Sequence, residues 1–240
     1  MSPRASPGTG NGSDRWTGTR VALLLWGALS LAGCAPDFKD TLGPRVPLDN
    51  VSGRAERDGA AAASLDVTVR NPTNNVSIGG GKTDASGYYA IAAPAGGWEV
   101  KIKGRLSGDF DSVTRGFVVD APKEHLTLEP MDVFAYGAAA NQPADSVSLD
   151  LPTSSSPVTF RWRPPDRPYS TAYAQLLDAA GAAVWYSPKA TDSSAVWDGL
   201  GNQGTLMGTK APTGTYTWRV KFDFPDSSEA RTRSRAVIFQ

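Results

Sequence analysis

Tyr216-Thr217-Trp218-Arg219-Val220-Lys221-Phe222-Asp223-Phe224 decides the fold class of this 240-residue chain. Every even position is a large apolar residue and every odd position is polar. Successive side chains of a β-strand point to opposite faces, so this run has one apolar face and one polar face. Five large apolar residues on one side predict an interior strand, each worth roughly 1.5–3 kcal/mol when fully buried. Working outward, the same period of two recurs at Val147, Leu149 and Leu151, and at Val158, Phe160 and Trp162. It recurs again at Leu65, Val67 and Val69, interleaved with Asp66, Thr68 and Arg70. No stretch keeps a helical spacing. The 25 glycines and 18 prolines fall largely between these runs, where they mark turns. Short alternating strands broken by turn residues predict an all-β chain.

The runs fall into two modules. Residues 51–134 form the first, with strands expected at 65–70, 88–91, 98–103, 118–119 and 126–128. Turn clusters separate them at Asn71-Pro72-Thr73-Asn74-Asn75, Thr83-Asp84-Ala85-Ser86-Gly87 and Pro94-Ala95-Gly96-Gly97. The polar, Gly-rich stretch 77–82 reads either as a loose strand or as an open loop. Residues 135–145, with Gly137, three alanines and Pro143, read as an interdomain linker. Residues 146–240 form the second module, with further strands at 173–177, 183–186, 194–197 and 230–239. About seven short strands with regular turns predict an immunoglobulin-like sandwich there. The small, polar linker predicts that the modules fold independently.

The N-terminus carries a different kind of signal. An apolar run at 21–32 follows Arg4, Arg15 and Arg20 and ends in Leu31-Ala32-Gly33-Cys34. A charged start, a short apolar segment and a small-residue exit predict a secretory signal peptide over 1–33. The apolar run is too short to cross a bilayer, which takes roughly 20 residues. Leu31-Ala32-Gly33-Cys34 resembles the lipobox of bacterial lipoproteins. That resemblance implies cleavage before Cys34 and attachment of diacylglycerol and a further acyl chain such as palmitate to it. Cys34 is the sole cysteine of the chain. One acyl chain binds a membrane marginally, whereas two hold it stably. The same resemblance implies the outer membrane of a cell envelope, because Ala35 and not Asp follows the cysteine. Residues 34–50, with Pro36, Pro44 and Pro47, then form a flexible tether. Its sixteen residues after Cys34 reach at most about 55 Å when stretched, and roughly 20–25 Å as a coil.

Two further resemblances concern the modules. Val51-Ser52-Gly53-Arg54, Thr83-Asp84-Ala85-Ser86-Gly87-Tyr88-Tyr89 and Pro94-Ala95-Gly96-Gly97-Trp98-Glu99-Val100 resemble the carboxypeptidase regulatory-like domain. That family implies a prealbumin-type β-sandwich that has no catalytic machinery of its own. Gly87 suits its hairpin, where a tight turn favours positive φ. Val196-Trp197-Asp198-Gly199-Leu200-Gly201-Asn202-Gln203-Gly204 and Pro212-Thr213-Gly214-Thr215-Tyr216-Thr217-Trp218-Arg219-Val220 resemble the Ig-like domain of flagellar hook-capping proteins. That pattern is widespread in bacterial surface proteins, so it implies a fibronectin-like sandwich and not a flagellar role. The fold expected is thus all-β: two β-sandwich modules, prealbumin-like then Ig-like, behind a cleaved signal peptide and a flexible tether.

The chain carries 24 basic and 24 acidic residues. The leader holds three arginines and one aspartate, so the mature chain keeps 21 and 23, a net charge of −2. Nothing in that balance attracts nucleic acid. With Cys34 acylated no disulfide can form, and stability must come from packed cores. His125 is the sole histidine and falls on the polar side of its expected strand. A general base needs an aligned partner, and none is evident. Gly79-Gly80-Gly81-Lys82-Thr83 lacks the spacing and the following helix of a phosphate loop. Asp109 with Asp111, and Asp198 with Asn202, raise calcium weakly, because turns use the same residues. No metal or cofactor is expected.

Three tryptophans, Trp98, Trp185 and Trp197, are candidates for stacking against a sugar, with core packing as the alternative for each. Arg231, Arg233 and Arg235 share one side of the last expected strand. They predict either a contact to phosphate or a charged edge that blocks aggregation. The function expected is a lipid-anchored, non-catalytic envelope scaffold that binds an envelope protein or glycan. The alternatives are a carbohydrate-binding surface lipoprotein and an accessory subunit of a secreted hydrolase.

Overall fold

A computed structural model describes residues 49–121 and 125–240, and these fall in one compact unit. Cys34, the expected signal peptide and most of the expected tether lie outside the described residues. The N-terminal half supplies β1 (Val51–Arg57), β2 (Ala60–Ala61), β3 (Asp66–Arg70), β4 (Ser77–Lys82), β5 (Tyr88–Ile91), β6 (Gly96–Lys103), β7 (Ser112–Val119), β8 (Leu126–Thr127) and β9 (Met131–Asp132). The C-terminal half supplies β10 (Val147–Leu149), β11 (Val158–Arg161), β12 (Thr171–Leu177), β13 (Ala183–Tyr186), β14 (Ser194–Trp197), β15 (Gly214–Asp223), β16 (Ser228–Arg231) and β17 (Arg235–Phe239). Two short 3-10 turns complete it, at Ala138–Ala140 and Gly204–Leu206. The described chain is all-β, and no helix among the described residues is long and apolar enough to cross a membrane.

β15 is the interior strand its alternation predicts. Tyr216, Trp218, Val220 and Phe222 are buried, as is Phe224 just beyond its end. β12 pairs along one edge of β15, and the other edge is shared by β17 near its start and β16 near its end. β16 then pairs with β7, setting Ser112 opposite Arg231 and Thr114 opposite Glu229. One ten-stranded sheet therefore runs through both halves, in the order β10-β17-β15-β16-β7-β6-β3-β4, with β12 and β13 added beside β15. In the N-terminal half a five-stranded sheet is centred on β1. β2 and β5 pair with β1 antiparallel, and β8 and β9 pair with it in parallel. A two-stranded sheet of β11 and β14 completes the C-terminal half.

One local reading left open is settled, and two change. Residues 77–82 form a paired strand, β4, against β3. A Cβ at Gly80 would lie 2.6 Å from the Val67 carbonyl oxygen, so glycine permits this close approach. The expected strand 230–239 is two strands, because Thr232 breaks it. Its Oγ1 accepts the Val220 amide at 3.0 Å, and its own amide donates to the Val220 carbonyl at 2.9 Å.

The expected linker 135–145 is packed and not free. Tyr136 is 5% exposed, and its hydroxyl donates to the Arg163 carbonyl at 2.7 Å. Its ring stacks on Phe110 with centroids 4.7 Å apart. Phe110 in turn meets Phe134 at 4.5 Å and Phe222 at 5.8 Å. An aromatic cluster thus joins the two halves. Composition hid it, because two rings are interspersed among small residues. Gly87 does take φ +77°, and a Cβ there would lie 2.3 Å from the Ala55 carbonyl oxygen.

Candidate functional site

The even positions of β15 fill the core, so its odd positions face solvent. Thr217, Arg219, Lys221 and Asp223 stand on that open face. The ladder carries the face across the whole sheet. Glu229 and Arg231 of β16, Ser112 and Thr114 of β7, Glu99 and Lys101 of β6 and Arg70 of β3 join it in register. All of these except Thr217 and Asp223 line a groove of about 410 Å³ that spans both halves, with Gln175 of β12 and Tyr186 of β13 at its far end.

Five cations and two carboxylates line this groove. Arg70 Nε donates to Glu99 Oε1 at 2.9 Å, and Lys221 pairs with Glu229. Arg231 Nε donates to Asp111 Oδ2 at 2.9 Å across the seam between the halves. Burial pushes the Asp111 carboxyl up, but the hydrogen bond and charge of Arg231 outweigh it and hold the carboxyl below its ordinary value. Arg219 Nε donates to Gln175 Oε1 at 2.8 Å and has no carboxylate partner among the described residues. Lys101 Nζ has no hydrogen-bond or ion-pair partner among them at all. Burial, and then the charges of Arg231 and Arg70, push Lys101 down to about 8. Burial and Arg231 likewise lower Arg219. Among the described residues these two cations have no carboxylate partner.

The sites expected from sequence fall elsewhere. Trp197 is fully buried and Trp185 is 7% exposed. Trp185 stacks on Phe160 at 5.7 Å, and the Trp197 indole N–H donates to the Leu200 carbonyl at 2.8 Å. Neither ring is free to stack on a sugar. Trp98 is half-buried on β6, with its indole N–H donating to the Pro94 carbonyl at 2.8 Å. The three do not form a flat cluster. His125 is exposed.

The aspartates raised for calcium are otherwise engaged. Asp109 accepts both Arg57 Nε and Nη2, at 3.1 and 2.9 Å, and also the Arg105 and Leu106 amides. Asp198 accepts the Leu200 amide, and Asn202 bonds the Tyr186 backbone in both directions. Among the described residues no cluster of three or more His, Cys, Asp or Glu could hold a metal ion.

The three late arginines are neither a free edge nor a phosphate patch. Arg231 pairs with Asp111, Arg233 donates to the Leu106 carbonyl at 2.6 Å, and Arg235 donates to the Ala138 and Asn141 carbonyls. All three tie the end of the chain back to residues before 146. Sequence reasoning missed the groove itself. The available signal was the polar half of each alternating strand, collected across strands far apart in sequence.

No protein-family model matches the chain, and no curated protein matches it. Several solved structures are similar in part. The Klebsiella pneumoniae 5-hydroxyisourate hydrolase shares 20% identity at a TM-score of 0.28, over 36% of this chain and 85% of that one. BcpA, the major pilin subunit of Bacillus cereus, shares 14% identity at 0.30, over 79% of this chain and 69% of that one. The Bacillus anthracis TIE protein shares 13% identity at 0.28 over 79% of this chain, which spans only 32% of its length. At these values the likeness assigns neither an activity nor a partner.

Proposed function

We propose that this chain is a lipid-anchored binding or scaffold protein of a bacterial cell envelope, without catalytic chemistry of its own. The observation that carries the reading is the single sheet running through both halves. A rigid sheet with a solvent-open, charged groove across its seam is built to present a surface. Of the charged pairs in the groove, that of Arg231 with Asp111 ties the halves together. The sequence Leu31-Ala32-Gly33-Cys34 supports the anchor, and the polar stretch 35–50 supports a stand-off of a few nanometres from the membrane. Burial of Trp185 and Trp197 argues against glycan capture by tryptophan stacking.

Two measurements test the reading. Cys34→Ala should abolish acylation and release the protein from the membrane fraction. Retention of that variant through carbonate extraction would remove the anchor. Crosslinking in intact cells, read by mass spectrometry, should recover an envelope component attached to residues of the groove. Crosslinks confined to a single hydrolase would favour the accessory-subunit alternative instead.

A further inference from the structure

We propose that β14 is a docking edge for a second copy of this chain, the two β14 strands pairing antiparallel about a two-fold axis at Val196. The contact joins the two-stranded β11–β14 sheets of both copies into one four-stranded sheet. The inference goes beyond the binding reading. It depends neither on the lipid anchor nor on the groove, which lies on the ten-stranded sheet and stays open in each copy.

β14 has one partner, β11, and its other edge is open. The Trp162 amide donates to the Ser193 carbonyl at 2.9 Å, one step past the pair Arg161 and Ser194. Hydrogen-bonded and non-bonded pairs alternate along an antiparallel ladder, so Ser193, Ala195 and Trp197 turn their N–H and C=O groups to β11. Ser194, Val196 and, just past the strand end, Asp198 turn theirs outward. None of these outward groups has a backbone partner among the described residues. Outer strands are commonly guarded by a bulge, a proline or a charge. The ladder of β4, another outer strand, has a register shift beside Arg70. The β11–β14 ladder has none, and Ser194-Ala195-Val196-Trp197 holds neither proline nor charge. The Val196 side chain on this edge is 59% exposed.

The occupant that fits this edge is the edge itself. With Val196 opposite its own copy, Ser194 of each strand stands opposite Asp198 of the other. Each of these pairs then exchanges two backbone hydrogen bonds, and the exposed valines meet on the axis. Charge selects the same register. Phe160, Trp162 and Trp197 are buried, so Arg161 and Ser194, paired on the opposite face, look outward. Arg161 is exposed, and its guanidinium has no hydrogen-bond or ion-pair partner among the described residues. Asp198 is exposed too, and its Oδ1 accepts the Leu200 amide at 3.0 Å, with no cation paired to it among those residues. In the four-stranded sheet Arg161, Ser194 and Asp198 of the second copy follow one another in one row. Their end members are two strands apart, about 9.5 Å between backbones, with only the small serine between them. A long arginine side chain and an aspartate meet across that span, and the two-fold axis supplies the pair twice. Sliding the register by two residues one way sets Asp192 opposite Asp198, a like-charge pair, at both ends. Sliding it the other way sets Val196 opposite Asp198.

Disulfide trapping of the full chain in a neutral detergent tests the inference, with Cys34→Ala throughout so that each introduced thiol is the sole one. Opposite residues of a hydrogen-bonded pair stand about 5.5 Å apart at Cα, which a disulfide spans. Val196→Cys should therefore give a covalent dimer under mild oxidation. Ser194→Cys alone and Asp198→Cys alone should stay monomeric, because each lies about 13 Å along the strand from its own copy. Mixing those two variants should restore the dimer. In the Val196→Cys chain, Arg161→Asp or Asp198→Arg should each lower the trapped fraction about three- to tenfold, and the two together should restore it. All these side chains are exposed, so unchanged thermal unfolding is the control for folding. Three results would overturn the inference: no trapped dimer from Val196→Cys, equal trapping from all three single cysteines, or no recovery in the double charge swap. None of them bears on membrane fractionation of Cys34→Ala, so the two proposals fail separately.

Discussion

The two halves solve the same packing problem with different side chains. The N-terminal half fills the space between its sheets with aliphatic residues: Val51, Leu65, Val67, Val69, Ile91, Val100 and Ile102. The C-terminal half uses rings: Phe160, Trp162, Trp185, Trp197, Tyr216, Trp218 and Phe239. The difference follows from what lies opposite the shared sheet. In the first half that is a five-stranded sheet, which supplies many short contacts. In the second it is only β11 and β14, so each side chain must cover more area. Tilted contacts of 5.1 Å between Phe160 and Trp218, and of 5.2 Å between Trp197 and Phe239, show how the rings fill that layer. Where the halves meet, Phe110 and Phe134 from before the seam pack on Phe222 and Phe224 from beyond it.

Cutting the chain should have the largest effect, and an unequal one. Fragment 49–135 keeps both of its layers and should still melt cooperatively, at lower temperature. Fragment 146–240 loses Phe110 from over Phe222, and β16 loses its partner β7. It should melt broadly, with weakened near-ultraviolet circular dichroism. A sharp transition for 146–240, like that of the whole chain, would show that the halves are independent after all.

Core cavities come next. Trp218→Ala should cost about 3–5 kcal/mol and Ile102→Ala about 2–5 kcal/mol. Because one sheet joins the halves, each should lower a single shared transition measured by calorimetry. Two separated transitions, with only one of them moved, would break the comparison into two domains. Trp218→Phe should cost much less than Trp218→Ala. It keeps a ring and removes an indole N–H that is buried without a partner.

The fold was legible where one residue type repeats in phase. Tyr216 to Phe224 declares both its strand and its buried face. It was not legible where a contact is carried by isolated residues in a neutral context. Tyr136 sits beside Gly137 and Ala138, and only the fold shows that its ring meets Phe110. The end of the chain misled for a related reason: Arg231, Arg233 and Arg235 keep strand phase in sequence, but Thr232 turns the backbone between them. The groove was least legible. Arg70, Lys101, Arg219 and Arg231 lie on four strands, and sequence shows each only as an ordinary polar strand position. The leader expected from Leu31-Ala32-Gly33-Cys34 is the opposite case, an expectation that rests on a short contiguous stretch and on no fold.

Acid should sharpen the comparison by separating ties within a half from ties across the seam. Asp109 serves the first half, through Arg57 and two backbone amides, and Asp111 crosses to Arg231. Both carboxyls are held below their ordinary value: burial raises each, and the arginine hydrogen bonds outweigh it. A depressed carboxyl contributes stability that is present above the unfolded value, near 4, and is lost as pH falls through the folded one. Urea unfolding from pH 6 downward should therefore show falling stability. Asp109→Asn should remove part of that dependence and cost about 1.5–3 kcal/mol at neutral pH. Asp111→Asn should cost less, about 1 kcal/mol or below, because its pair is partly exposed. An equal or larger loss from Asp111→Asn would make the seam, and not the first half, the more demanding electrostatic element.

The smallest effect lies at the other end of the pH scale and depends on both halves at once. Lys101 belongs to the first half, but part of its depression to about 8 comes from Arg231 in the second, after burial itself. Between about 8 and its ordinary value of 10.5, the unfolded chain binds a proton that the folded chain has released. Stability contributed by this group must then rise with pH across that window. The rise should stop near pH 10. Tyr89 and Tyr136 are pushed up to about 12 by burial, so above 10 the unfolded chain alone loses their protons and stability turns down. Denaturation curves from pH 7 to 11 should show a shallow maximum, and Lys101→Gln should flatten its rising limb. Arg231→Gln should shift that limb to higher pH, because the repelling charge is gone. If Arg231→Gln leaves the limb where it is, burial and the neighbouring charges of the first half set Lys101, and the two halves do not share this electrostatic environment.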